Sequence, residues 1–187
     1  MKTLILGMGN LLLCDDGIGI IIKRYLESIL HNNNSLFFSE TSWGGFRIID
    51  ILQNFDYVIV IDSIKTGKKN PGEIHYLKTD ELLHTLRLNS YHDINFMTAI
   101  KLAEKMNINM PNEIDIFAVE ISDNSTIKES ISTEIQQSIK FCSLEIIQKL
   151  KEKKLIQQDF IIDKITGIEN EENLKKYYYE NSETIQL

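Results

Sequence analysis

Apolar positions along the first 150 residues fall into two alternating rhythms. Thr3-Leu4-Ile5-Leu6 is a short apolar run ended by Gly7, which predicts a buried strand. Ile18, Ile21, Ile22, Tyr25, Leu26, Ile29 and Leu30 then repeat at i, i+3, i+4, i+7 spacing. With Asp15-Asp16 in front as an acidic N-cap, this stripe predicts a helix from about residue 16 to 30. Leu36-Phe37-Phe38 reads as a second strand, and Gly44-Gly45 opens a helix through Ile48, Ile49 and Leu52. Tyr57-Val58-Ile59-Val60-Ile61 is the clearest strand of the chain and runs straight into Asp62-Ser63. A Lys/Gly/Asn/Pro turn follows over 64–72, and residues 73–78 alternate like an edge strand or hairpin partner. Helical spacing resumes near Asp80 to Leu86 and from Asp93 to Met106. A last strand carries Ile114, Ile116, Ala118 and Ile121, and Ser132 caps a long helix through Ile135 to Leu150. Strands alternating with helices predict an α/β fold of three αβα layers around a mostly parallel, doubly wound, twisted sheet.

Eight of the nine glycines lie within the first 72 residues, so tight backbone approaches concentrate in the first three elements. From Leu155 the character changes. Residues 155–187 hold 7 acidic and 3 basic side chains and show no clear period. The expected division is a single domain over 1–154 and an acidic C-terminal extension over 155–187. That extension reads as a weakly structured appendage with a short docking helix around Glu171 to Tyr179.

Composition narrows the partners. The chain has 187 residues, is 43% hydrophobic and 25% charged, and carries a net charge of −7. This excludes wholesale disorder and argues against sequence-independent binding to nucleic acid or an anionic membrane. No apolar run approaches the roughly 20 residues of a membrane span, and no signal peptide opens the chain. Cys14 and Cys142 form neither a disulfide framework nor a CxxC site. A reduced, cytoplasmic monomer is the expectation.

Open parallel sheets bind ligands beyond the carboxyl ends of their strands. The residues leaving those ends here are Asn10, Asp15 and Asp16, then Glu40 and Ser42, then Asp62 and Ser63, and finally Glu120, Ser122 and Asp123. Acids thus leave four strands toward one rim, with almost no Lys or Arg among them. Crowded carboxylates suit a divalent cation or a shared proton better than a phosphate. Gly7-Met8-Gly9 after a strand hints at a dinucleotide fingerprint. However, Leu12 stands where the third glycine belongs, and two aspartates sit where a pyrophosphate would lie, so a nucleotide is disfavoured.

The segment Gly7-Met8-Gly9-Asn10-Leu11-Leu12-Leu13-Cys14-Asp15-Asp16-Gly17-Ile18-Gly19 resembles the opening of the [NiFe]-hydrogenase maturation endopeptidases. Two further blocks match in order. Val58 to Ser63 followed by Asn70-Pro71-Gly72 is similar to that family's central strand and turn, and Ser90-Tyr91-His92 to its histidine loop. The resemblance covers roughly residues 1–150. Three features depart from it: the setting of Trp43 beside Gly44-Gly45, the Ser130 to Glu134 segment, and the longer tail.

The resemblance implies a peptidase that hydrolyses one peptide bond near the C-terminus of a hydrogenase large-subunit precursor once nickel is installed. By motif position it places the metal-binding groups on Asp16, Asp62 and His92, with Asp16 and Asp62 also catalytic. The nickel is supplied by the substrate, and Cd²⁺ or another divalent ion substitutes for it in crystals. Two carboxylates and an imidazole are an apt set for a borderline divalent ion with positions left open. Either a metal-polarised carbonyl or an aspartate general base would serve the hydrolysis.

Each residue also has a plainer role. Asp16 suits a helix N-cap, Asp62 an Asx turn, and His92 a helix cap or a solvated position. Glu40, Glu120 and Asp123 read as rim charges, and His31, His75 and His84 as surface residues. Trp43 fits either the core or an exposed grip on the substrate. The alternative function is a non-cleaving, metal-binding hydrogenase assembly factor on the same fold.

Overall fold

The computed structural model describes residues 1–42, 44–78, 91–157 and 171–178. The predicted helix near Asp80 to Leu86, together with Trp43 and His84, lies outside the described residues. Five strands form one sheet: β1 (Thr3–Met8), β2 (Leu36–Thr41), β3 (Tyr57–Ile64), β4 (Ile74–Lys78) and β5 (Glu113–Glu120). Their order is β2-β1-β3-β5-β4, with β2, β1, β3 and β5 parallel and β4 antiparallel to β5. Residues 73–78, read as an edge strand or hairpin partner, thus form an edge strand that pairs with β5 and not with the preceding β3.

The central strands are apolar on both faces because both faces are covered. One face packs against α1 (Ile18–Leu30) and α4 (Thr133–Glu152), and the other against α2 (Arg47–Leu52) and α3 (Tyr91–Lys105). Ile5, Ile59, Ile61, Phe117 and Val119 join Ile18, Ile22, Leu26, Ile135, Ile139 and Ile146 in one core cluster. Leu4, Leu6, Val58, Val60 and Ile116 join Ile48, Leu52, Phe96 and Ile100 in the other. A carboxylate interrupts the first cluster. Asp115 is fully buried and accepts hydrogen bonds from Tyr57 Oη at 2.6 Å and Tyr76 Oη at 2.8 Å, with Lys149 Nζ 3.9 Å away. Those donors stand in for the water it has lost. Burial, and then the hydrogen bond to Asp115, push the Tyr57 hydroxyl well above its ordinary range.

Two predicted caps are built differently. Asp15 and Asp16 do not cap α1: they lie in a 3-10 turn (Cys14–Gly17), and Gly17 is the N-cap residue. Ser132 is the N-cap residue of α4, but its hydroxyl makes no cap bond; instead its backbone N–H donates to Asp15 Oδ1 at 2.7 Å.

The extension docks a helix, α5 (Glu171–Tyr178), on α1. Leu174 and Tyr177 are buried there, and Tyr177 meets Tyr25 edge-on at 5.7 Å. Arg24 Nη1 donates to the carbonyls of Tyr177 and Tyr178 at 2.8 and 3.1 Å, where a cation favours a helix C-terminus. Leu174 and Tyr177 thus pack this part of the extension against α1. Among the described residues no helix is long and apolar enough to cross a membrane.

Candidate active site at the carboxyl rim of the sheet

The loop leaving β1 folds by short-range bonds. Leu13 N–H donates to Asn10 O and Asp16 N–H to Leu13 O, both at 3.0 Å, while the Asn10 side chain accepts Leu12 N–H. This brings the turn that carries Asp16 back onto the end of β1. Glycine is required there. A Cβ on Gly9, whose φ is +140°, would overlap the backbone oxygen of Asp16, and one on Gly19 would overlap the backbone oxygens of Met8 and Ile61. The glycine spacing of the motif therefore seats α1 directly on the ends of β1 and β3. Gly19→Ala is expected to cost about 2 kcal/mol by overpacking against backbone that cannot move aside. Urea denaturation would measure it; an unchanged midpoint would contradict the close packing.

Asp16 and Asp62 line one cavity of about 190 Å³, with Gly9, Asn10, Thr41 and Ser42 completing much of its wall. Ser63 links the two acids. Its hydroxyl donates to Asp16 Oδ1 at 2.9 Å, and its backbone N–H donates to Asp62 Oδ1 at 2.8 Å. One oxygen of each carboxylate is thus held by the same residue. Both acids are half-buried. His92 falls in the first turn of α3, and its side chain lies outside the described part of the structure. Among the described residues, no group of three or more His, Cys, Asp or Glu side chains gathers as a metal cluster.

The acids of the rim separate by role. Asp15, adjacent to Asp16, is fully buried and turned away: it binds Ser132 N–H, and the Cys14 thiol lies 3.6 Å from its Oδ1. Glu40 is not an isolated rim charge. Arg24 donates to both its oxygens, at 2.8 Å from Nε and 2.5 Å from Nη2, and Lys23 Nζ stands 2.9 Å away. Partial burial pushes its carboxyl upward, but the bonds from Arg24 and Lys23 outweigh this and hold it below the ordinary range. Asp123 accepts the backbone N–H groups of Ser125 and Thr126 at 3.0 Å each, as a turn former.

Glu120 departs furthest from its sequence reading. It is 1% exposed and accepts four donors: Thr66 N–H at 2.7 Å, Thr66 Oγ1 at 2.6 Å, Gly67 N–H at 2.7 Å and His75 Nε2 at 2.7 Å. Desolvation raises its carboxyl, yet those donors, Thr66 foremost, bring it below the ordinary glutamate range. His75 is accordingly a mostly buried partner of Glu120 and not a surface residue.

No cysteine offers a nucleophile among the described residues. Cys14 and Cys142 are both buried, and burial pushes both thiols up, away from the reactive thiolate. The arrangement at the rim is instead a pair of tethered carboxylates opening into a small cavity. Such a pair can hold a cation or move a proton. Sequence reasoning placed Asp16 and Asp62 on one rim, and the structure brings both to one cavity. It passed over Ser63 as a site residue, although its place directly after Asp62 at the strand exit was the available signal.

Comparison with known proteins places the chain in a family. The family pattern described as "HycI: Hydrogenase maturation protease" matches residues 22–149, well over half of the chain. The chain is 30% identical over 82 residues to the Hydrogenase 2 maturation protease of Escherichia coli (strain K12), spanning 44% of this chain and 50% of that protein. It is 27% identical over 152 residues to the hydrogenase expression/formation protein HupD of Thiocapsa roseopersicina, spanning 75% of this chain and 67% of that protein. The first of these alignments thus spans only half the length of the relative it matches. Among solved structures, the hydrogenase maturating endopeptidase HybD from E. coli superposes with a TM-score of 0.69 at 20% identity, covering 82% of this chain and 94% of that one. The [NiFe] hydrogenase maturation protease HybD from Thermococcus kodakarensis gives 0.61 at 24% identity, covering 80% and 99%. These two likenesses concern the fold.

The fold is an α/β sandwich of the maturation-endopeptidase type. The chain belongs to the hydrogenase maturation protease family, a family of peptidases and thus of hydrolases, as its N-terminal motif led one to expect.

Proposed function

We propose that this protein hydrolyses one peptide bond near the C-terminus of a [NiFe]-hydrogenase large-subunit precursor and does so only after nickel has been inserted. The observation that carries this reading is the shared cavity of Asp16 and Asp62, each with one oxygen tied to Ser63. Holding one oxygen of each carboxylate orients both acids in advance, which lowers the cost of meeting an incoming cation. His92, at the start of α3, is the third proposed ligand. Two carboxylates and an imidazole suit a borderline divalent ion and leave coordination positions for the precursor's own ligands and for water. The nickel is cargo carried in by the substrate, so binding it at Asp16, Asp62 and His92 makes cofactor loading a condition of productive docking.

The raised thiols of Cys14 and Cys142 favour attack by water over attack by a thiolate. Asp16 or Asp62 then takes the proton from that water, while the ion polarises the scissile carbonyl. The proposed setting is the cytoplasm, with the protein acting as a monomer on the precursor.

Incubating the purified chain with nickel-loaded and nickel-free precursor, and weighing the products by mass spectrometry, tests the proposal. Loss of a short C-terminal peptide from the loaded form alone is the expected result. A stable, uncut complex would overturn the cleavage reading in favour of an assembly factor, and equal cutting of both forms would overturn nickel recognition.

A further inference from the structure

One edge of the sheet lies beside the proposed active site, and among the described residues nothing bonds to its outward backbone groups. At the two ends of the β1–β2 pair, Thr3 N–H donates to Ser35 O at 3.1 Å and Gly9 N–H donates to Thr41 O at 3.2 Å. In a parallel ladder the bonded residues of a strand alternate. With Thr3 in register with Leu36, the residues of β2 that bond to β1 are therefore Phe37, Ser39 and Thr41. The N–H and C=O groups of Phe38 and Glu40 point the other way, off the sheet. No described residue bonds to them, and β2 is the outermost strand.

Glu40 lies on the wall of a groove, and Phe38 lies just before it along the same strand. A cavity of about 680 Å³ wraps the carboxyl end of β2, within the roughly 300–1,000 Å³ range of ligand clefts. Its two sides differ: Leu11 and Ile20 on the α1 side, Arg47 and Asp50 on the α2 side. It shares Gly9, Asn10, Thr41 and Ser42 with the cavity that holds Asp16 and Asp62, so the two are continuous. The edge is also stiffened, because Arg24 and Lys23 clamp the Glu40 side chain to α1 and leave its backbone facing outward.

Exposed, unpaired edges invite another strand. We propose that the occupant here is the C-terminal segment of the precursor, bound in extended form as a sixth strand along β2. Its backbone would pair with Phe38 and Glu40, and the chain would continue past Ser42 into the Asp16–Asp62 cavity. This inference rests on the protease reading of that cavity. Backbone pairing recognises the segment whatever its side chains are, as in other cases of strand addition. Selectivity then comes from alternate side chains, which meet Leu11 and Ile20 on one face and Arg47 and Asp50 on the other. Presentation in an extended form also fits proteolysis, since it exposes one peptide bond at a time at a fixed point.

Residue-resolved hydrogen exchange on the full chain, with and without saturating nickel-loaded precursor, tests the proposal. The expected result is at least a tenfold slowing at the amides of Phe38 and Glu40, with little change at Ser39 and Thr41, which already bond to β1. Precursor that is cut while Phe38 and Glu40 stay unprotected overturns the sixth strand and leaves the protease reading standing. Protection without cutting keeps the strand and overturns cleavage; neither effect overturns both. Protection that grows with the concentration of this chain alone assigns the edge to a second copy and also overturns the proposal. A paired comparison adds a kinetic measure. Glu40→Ala removes the clamped side chain but keeps the outward N–H, whereas Glu40→Pro removes that N–H as well, at a position whose N–H β1 does not use. Glu40→Pro is expected to raise KM about fivefold over Glu40→Ala with kcat little changed, the loss of one hydrogen bond in binding. Equal KM values would count against the strand.

Discussion

Asp62→Asn is expected to slow cleavage of nickel-loaded precursor by about 100-fold or more while leaving the fold intact, and Asp16→Asn to do the same. The two halves of that expectation have separate grounds. Each substitution keeps an oxygen where the present hydrogen bond needs one: Ser63 N–H still finds an acceptor at position 62, and Ser63 Oγ at position 16. Both positions are half-buried and asparagine has nearly the shape of aspartate, so no cavity opens. What disappears is the negative charge that attracts a cation and the basicity that accepts a proton from water. Asp56→Asn, at the opposite end of β3 where the carboxylate caps Lys2 N–H, is the matched control and should cut at the wild-type rate. A time course of product mass for the four proteins decides the matter. Wild-type rates in Asp62→Asn would remove the carboxylate pair from the mechanism.

Glu120→Ala is expected to be the most destabilising single substitution on the rim, at about 4 kcal/mol. The cause is stranding rather than lost attraction. Two backbone N–H groups, the Thr66 hydroxyl and the His75 ring would lose one common acceptor at a site where water hardly enters. Glu120→Gln, which keeps one acceptor oxygen and adds an N–H₂ where donors already converge, should fall between. The pH dependence follows from the sign of the shift. The folded-state carboxyl lies below the ordinary glutamate range, so its contribution is fully present above that range and is lost as pH falls through the lowered value. The difference in denaturation midpoint between wild type and Glu120→Gln should therefore be largest above about pH 5 and shrink steadily in stronger acid. A difference independent of pH would show that the carboxylate is not the stabilising form. Because Thr66 and Gly67 follow Asp62-Ser63 by a few residues, the Glu120 anchor also holds the exit of β3.

Much of the fold was legible along the chain because burial on both faces makes a strand apolar throughout. Leu4 to Leu6 and Tyr57 to Ile61 carry that signature, and α1 carries the matching helical stripe. Partner choice was less accessible. Residues 73–78 alternate as an edge strand should, but whether they pair with β3 or with β5, about 40 residues onward, depends on which edge the rest of the sheet leaves open. Two of the three charges read as rim acids illustrate the same limit. Glu40 and Glu120 are bound by side chains 16 and 45 or more residues away, and no local pattern reports such a meeting.

The two adjacent aspartates mark the boundary most sharply. By itself the sequence determined that carboxylates would leave β1 and β3 at one rim, because parallel strands joined by helices all end on the same side. Motif position pointed to Asp16, but only the tertiary structure shows why Asp16 and not Asp15 opens to the cavity. In a 3-10 turn, consecutive side chains diverge by roughly 120°. With the turn pressed against Gly9 and the start of α4, one direction leads inward to Ser132 N–H and the other outward to Ser63 and the cavity. The residue types are identical, and their roles follow from what the packed backbone places in front of each.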